Sequence, residues 1–145
     1  MLASFAWNEK FRIDNVDQLL TPALAIYPEV LARNIEQTIQ LLDGHADRWR
    51  AHIKTAKLNY TLRMLLQRGV GNFKCATTLE LLSACQAGAK DILLAYPAIG
   101  ANARRVREIC EQYNIPVVYL TAHADHETLS RAKLAEPLGY LIKPF

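Results

Sequence analysis

Arg50-Ala51-His52-Ile53-Lys54-Thr55-Ala56-Lys57 is the stretch from which the fold is read. It stands where a short apolar strand ends and a helix begins, and it places two lysines, Lys54 and Lys57, three positions apart. Strand ends that open onto helix starts are where α/β proteins hold ligands, because backbone N–H groups and the helix dipole converge there. A lysine in such a place forms a Schiff base with a carbonyl compound once its surroundings favour the neutral amine.

Working outward, the same strand-to-helix change recurs along the chain. Pro22 opens the apolar run Ala23-Leu24-Ala25-Ile26-Tyr27, which reads as a buried strand. Pro28 then starts a helix with Leu31, Ile35, Ile39 and Leu42 on one face and Gly44 at its end. After the strand from Trp49 to Lys54, a helix carries Leu58, Leu62, Leu65 and Leu66 and closes at Gly69. Asn72 to Ala76 is the third strand, and Thr77 with Glu80 makes a capping box for a helix bearing Leu79, Leu82 and Cys85. Asp91 to Tyr96 is a fourth strand, followed by a helix that Asn102 can cap, with Val106, Ile109, Cys110 and Tyr113 at helical spacing. Ile115 to Leu120 and Tyr140 to Ile142 complete the strands, with a helix capped by Asp125 between them.

The strand ends, near Tyr27, Lys54, Ala76, Tyr96, Leu120 and Ile142, are 27, 22, 20, 24 and 22 residues apart. Such βα repeats predict an α/β fold with a parallel sheet of about five to six strands and right-handed crossovers. A complete eight-fold barrel needs roughly 200 residues or more, so these 145 residues do not make one alone. Length favours a single α/β domain over residues 1–145.

Composition narrows the classes of function. Hydrophobic residues make up 51% of the chain, which suits a packed core, and the net charge of +3 is too small and too scattered to predict nucleic-acid binding. Arg104, Arg105 and Arg107 cluster at one helix, but no aromatic stacking platform accompanies them and a solvated helix face is expected. Cys75, Cys85 and Cys110 form no CxxC pair, so no metal site is expected, and an odd count reads as reduced cytoplasmic thiols. No apolar window is long enough for a membrane span, and the opening Met1 to Trp7 lacks the basic and apolar regions of a signal peptide.

Two resemblances overlay this reading. Thr21-Pro22-Ala23-Leu24, Leu31-Ala32-Arg33-Asn34-Ile35, His52-Ile53-Lys54-Thr55-Ala56-Lys57, Cys75-Ala76-Thr77, Ala87-Gly88-Ala89 and Asp91 to Pro97 occur in one order. Together they resemble the barrel domain of fold-type III pyridoxal-phosphate proteins, in the alanine racemase N-terminal and D-threonine aldolase-like group, over about residues 21–108. The resemblance implies that Lys54 is the residue that would hold pyridoxal phosphate as an aldimine, with His52 beside it. The family's run carries a second His where this chain has Ala56. It also implies a phosphate cradle after later barrel strands and a second, β-rich domain, neither of which these residues supply.

From about Pro116 the resemblance changes. Pro116 to Ala122, Asp125 to Leu129 and Gly139 to Phe145 are similar to the fourth strand, fourth helix and fifth strand of a response-regulator receiver. It implies that Thr121 is the switch hydroxyl, that Lys143 is the phosphoryl-contacting lysine, and that the Lys143-Pro144 bond is cis. The receiver's acidic magnesium ligands and its phosphoacceptor aspartate have no counterparts at the earlier strand ends, so Thr121 and Lys143 are relics in this reading.

The expectation is a chimera, designed or recombined, with residues 1–115 barrel-like, 116–145 receiver-like, and the crossover within about 109–116. Its expected architecture is a flavodoxin-like, doubly wound three-layer sandwich built partly from a barrel fragment. It is a monomer, or a homodimer that covers an exposed sheet face, with residues Asn8 to Leu20 as another cover for that face. No native catalysis and no cofactor are expected, with residual pyridoxal-phosphate binding at Lys54 as the alternative.

Overall fold

The computed structural model describes residues 9–121 and 138–142. Within them strands and helices alternate as βα repeats. Helix α1 (Pro28–Gln40) precedes β1 (Arg50–His52), α2 (Asn59–Leu66), β2 (Asn72–Cys75), α3 (Thr78–Ala87), β3 (Asp91–Leu94), α4 (Ala101–Gln112), β4 (Val118–Thr121) and β5 (Gly139–Ile142). All strand pairings are parallel, so the α/β class is as read from the repeat spacing.

The strands do not form one sheet of about five to six. They make a three-stranded sheet in the order β1-β2-β3 and a separate two-stranded sheet of β4 and β5. The expected first strand, Ala23 to Tyr27, has no regular secondary structure and no ladder partner among the described residues, and Ala23, Leu24 and Ala25 are exposed. An apolar run becomes a strand only when its backbone finds a ladder. This run is bracketed by Pro22 and Pro28, which have no N–H to give, and contains two alanines of low strand preference. The helix expected after Asp125 and the Lys143-Pro144 bond lie outside the described residues; the cis peptide bond within them is Thr21-Pro22.

Register shows how the sheet is packed. Ala51, Phe73 and Ile92 are paired across the three strands, as are Cys75 and Leu94 on the same face. This face meets the helices: Ala51, Phe73 and Cys75 join Leu62, Leu81, Ala84, Cys85 and Ile109 in one buried cluster. The helices form a layer in which α2 packs on α1 and α3, and α3 on α4. Phe73 is fully buried at its centre, where truncating a ring to a methyl group costs about 3–5 kcal/mol. In the β4–β5 sheet, by contrast, Val118, Leu120, Leu141 and Ile142 are all exposed.

Local signals set the helix ends. Pro28 stands at the first turn of α1, where its missing N–H costs nothing. Helix α3 ends at Gly88, whose φ of +98° lets its N–H and that of Ala89 turn back to the carbonyls of Cys85 and Ala84. On α3 the buried apolar residues are Leu81, Ala84 and Cys85, while Leu79 is exposed. At α4 the cap position falls to Gly100, and Asn102 lies inside the first turn. The segment Glu9 to Tyr27 makes two short 3-10 turns and packs on itself: the rings of Phe11 and Tyr27 meet edge to face at 5.0 Å, and the Tyr27 hydroxyl donates to the Phe11 carbonyl. Val16 and Leu20 there are exposed, and no residue of that segment joins the buried cluster.

All three thiols are buried. Burial pushes the Cys75 thiol up to about 12 and the Cys85 thiol up to about 11, and raises that of Cys110. Unfolded thiols ionise near their ordinary 9.0, so the folded state holds protons that the unfolded state releases at high pH. The stabilisation is complete below that value and is lost as pH rises from there through about 11 and 12. Urea unfolding followed by tryptophan fluorescence should show stability falling steadily above pH 9.0. At pH 8 a thiol reagent should leave all three cysteines unmodified until denaturant is added.

Candidate functional site

The opening stretch runs through β1 and past its C-terminal end, the side on which parallel sheets hold ligands. Strand β1 closes at His52, and the Ile53 N–H still donates to the Lys74 carbonyl at 3.0 Å. Lys54 follows with its side chain exposed, and its backbone N–H donates to His52 Nδ1 at 3.3 Å. This bond fixes the neutral ring with its proton on Nε2. The turn continues to Lys57, whose N–H donates to the Ile53 carbonyl and whose φ is +55°.

The two lysines of the stretch have different surroundings. Lys57 Nζ lies 3.6 Å from Glu80 Oε1, a carboxylate only 4% exposed. Glu80 Oε2 accepts the Ala76 N–H at 2.9 Å, while the Glu80 N–H donates to Thr77 Oγ1 at 3.1 Å. The capping box read from Thr77 and Glu80 is present, with the glutamate reaching one residue before the cap. Lys57, Ala76 and α3 are thereby tied together by one buried carboxylate. Lys54 makes no ion pair among the described residues.

Two cavities flank these loops. One of about 220 Å³ lies between α1, β1 and α2, lined mainly by Leu31, Ile35, Trp49, Ala51, His52 and Ile53. The other, about 410 Å³, lies beyond the ends of β2 and β3 against Thr77, Thr78, Tyr96, Pro97 and Asn102. Lys54 lines neither. The residues around it therefore do not fit a phosphorylated pyridine cofactor, which needs walls for its ring and a cradle for its phosphate.

The second set of residues is only partly described. Thr121 ends β4, half-buried and paired in register with Ile142, while Lys143 lies outside the described residues. Among the described residues no group of three His, Cys, Asp or Glu side chains is placed to hold a metal ion. No described helix is long and apolar enough to cross a membrane. Arg104, Arg105 and Arg107 are exposed on α4, and Arg107 Nε meets Glu111 Oε1 at 2.7 Å.

Sequence reasoning did not single out the sheet face opposite the helices. There Arg50 reaches over the middle strand to Asp91 with two bonds of 2.6 and 3.0 Å, and its Nη1 also donates to the Phe73 carbonyl. The hydrogen bond to Asp91 raises the Arg50 pKa, and the same bond lowers that of Asp91. Both groups are well exposed, so the pair contributes no more than about 1 kcal/mol. The sign of this face was present in the alternation Asn72-Phe73-Lys74-Cys75, polar and apolar by turns.

No family model matches the chain, and no curated protein matches it.

Removing the Glu80 carboxylate leaves Ala76 N–H without its acceptor and Lys57 without its partner. Glu80→Ala should cost about 1–3 kcal/mol in urea unfolding, and Thr77→Ala about 1 kcal/mol. Lys54→Ala should change stability by less than about 0.5 kcal/mol.

Proposed function

We propose that the chain is a hybrid α/β scaffold, designed or recombined from a pyridoxal-phosphate barrel fragment and a receiver fragment, with no catalytic function of its own. The observation that carries this reading is the position of Lys54. The one amine that the barrel resemblance makes reactive is exposed and lies outside both cavities. Covalent catalysis by lysine depends on an enclosed, oriented carbonyl, and neither of the two cavities reaches Lys54.

The break between the sheets supports the hybrid origin. Strands β1, β2 and β3 belong to one ladder and β4 and β5 to another, and the division falls across the region where the resemblance changes. The flavodoxin-like, doubly wound sandwich is the finer part of this proposal. The order β1-β2-β3 suits one wing of such a sheet as well as an arc of a barrel, since both advance strand by strand in one direction.

A second reading, a degenerate pyridoxal-phosphate-binding fragment, draws on a different observation: Lys54 sits at the C-terminal end of β1 with an imidazole bonded to its own amide. Titration with pyridoxal phosphate, borohydride trapping and peptide mass mapping separates the two. The scaffold reading expects label spread over Lys54, Lys57, Lys74 and the other lysines. Saturable label at Lys54 alone, abolished in Lys54→Ala, would overturn it.

A further inference from the structure

Short side chains from four successive parts of the chain border one space. Thr38 of α1, Ala51 of β1, Ala56 of the turn that follows and Thr61 of α2 all line the cavity of about 220 Å³. Protein interiors are close-packed and leave few voids larger than a water molecule, so a space of this size marks a place that larger side chains do not fill. Its walls are firm where they are apolar: Ile35, Ala51 and Ile53 are buried, and Trp49 is half-buried. Asn34 and Thr55, also in the lining, are exposed and give it a polar mouth.

The lining narrows the chemistry of an occupant. Among the described residues that border the cavity there is no Lys, Arg, Asp or Glu; Lys54 and Lys57 stand outside it although Thr55 and Ala56 between them belong to it. A charged ligand would therefore lose its hydration without gaining a counter-charge. The polar groups present are few and partly committed. The Thr61 hydroxyl donates to the Leu58 carbonyl and the Thr38 hydroxyl to the Asn34 carbonyl, each at 2.8 Å, which leaves both oxygens as acceptors. His52 is the reverse, since its Nδ1 accepts the Lys54 N–H and its Nε2–H remains to donate.

We propose that the cavity between α1, β1 and α2 is a binding site for a small neutral molecule of one aromatic ring bearing a hydroxyl group. An apolar-walled cavity of roughly 150 Å³ is enough for a benzene ring, so this one has room for the ring and its substituent. Ile35, Ala51 and Ile53 supply the apolar wall and Trp49 an aromatic surface for the ring. A hydroxyl both gives and accepts a hydrogen bond, which matches a lining that holds threonine acceptors and an imidazole donor. The site does not include Lys54, so binding here is non-covalent and independent of that amine.

The test is a two-dimensional NMR titration of the full chain at neutral pH with phenol, and in parallel with benzoate and with benzylamine, which carry a charge on a ring of the same size. Saturable shifts at Ile35, Ala51, Ile53 and the Trp49 indole N–H are expected with phenol, the Trp49 signal being assigned from Trp7→Phe. Both charged probes should bind at least about tenfold more weakly. Ala56→Leu fills the space and should weaken phenol binding at least about tenfold; Thr38→Leu, on the helix that forms the opposite wall, should do the same if the first variant does not fold. Asn102→Leu, at the cavity beyond β2 and β3, should leave the affinity unchanged. Shifts that fail to saturate, shifts centred on Thr77, Tyr96 and Asn102 instead, a charged probe that binds as tightly as phenol, or unchanged affinity in a folded Ala56→Leu or Thr38→Leu chain would each overturn the proposal.

Discussion

The described structure depends on β2. Its two apolar side chains, Phe73 and Cys75, are fully buried, and among the described strands its backbone alone bonds strands on both sides. Among the described residues β1 and β3 each have a single ladder, to β2. Three short strands have too few ladder bonds to hold together unaided, so the helices must supply the rest by covering one face. They do so with Leu62, Leu81, Ala84, Cys85 and Ile109, whose burial is the main favourable term available to a domain of this size.

This one-sided packing explains the division of chemistry between the faces. Toward the helices the packed cluster is apolar and burial raises the pKa of the cysteines. Away from them polar side chains predominate, and Arg50 and Asp91 are brought together by register rather than by a pocket. The reactive-looking stretch from Arg50 to Lys57 falls at the seam between these environments. Its two lysines therefore diverge, Lys57 drawn to the buried Glu80 and Lys54 left toward solvent.

Much of this was legible from local signals. The helix starting at Pro28, the turn at Gly88 and the Thr77–Glu80 cap each rest on residues within a few positions of one another, and each was read correctly. Features that depend on distant partners were not. Ala23 to Tyr27 has the composition of a buried strand but no ladder to join, and nothing within the run reveals that. Helix α3 has apolar residues on nearly every side, so periodicity does not reveal that Leu81 is buried and Leu79 exposed. The ties of Arg50 to Asp91 and of Lys57 to Glu80 span 41 and 23 residues of sequence, distances over which spacing carries no information. At the candidate site, the position of Lys54 at a strand end was readable, whereas its exclusion from both cavities was not.

The Arg50–Asp91 pair has a mechanical consequence. It joins the two outer strands across Asn72, at the end of the sheet where each strand begins, like a clasp over the middle strand. No side-chain bridge of that kind joins β1 to β3 at the other end among the described residues. The three strands thus resemble a hand fan pinned near its handle: spreading is resisted at the pinned end and is easiest at the lysine-bearing rim. A force or a bound molecule that widens the sheet would act first there, while the clasp keeps the register from sliding.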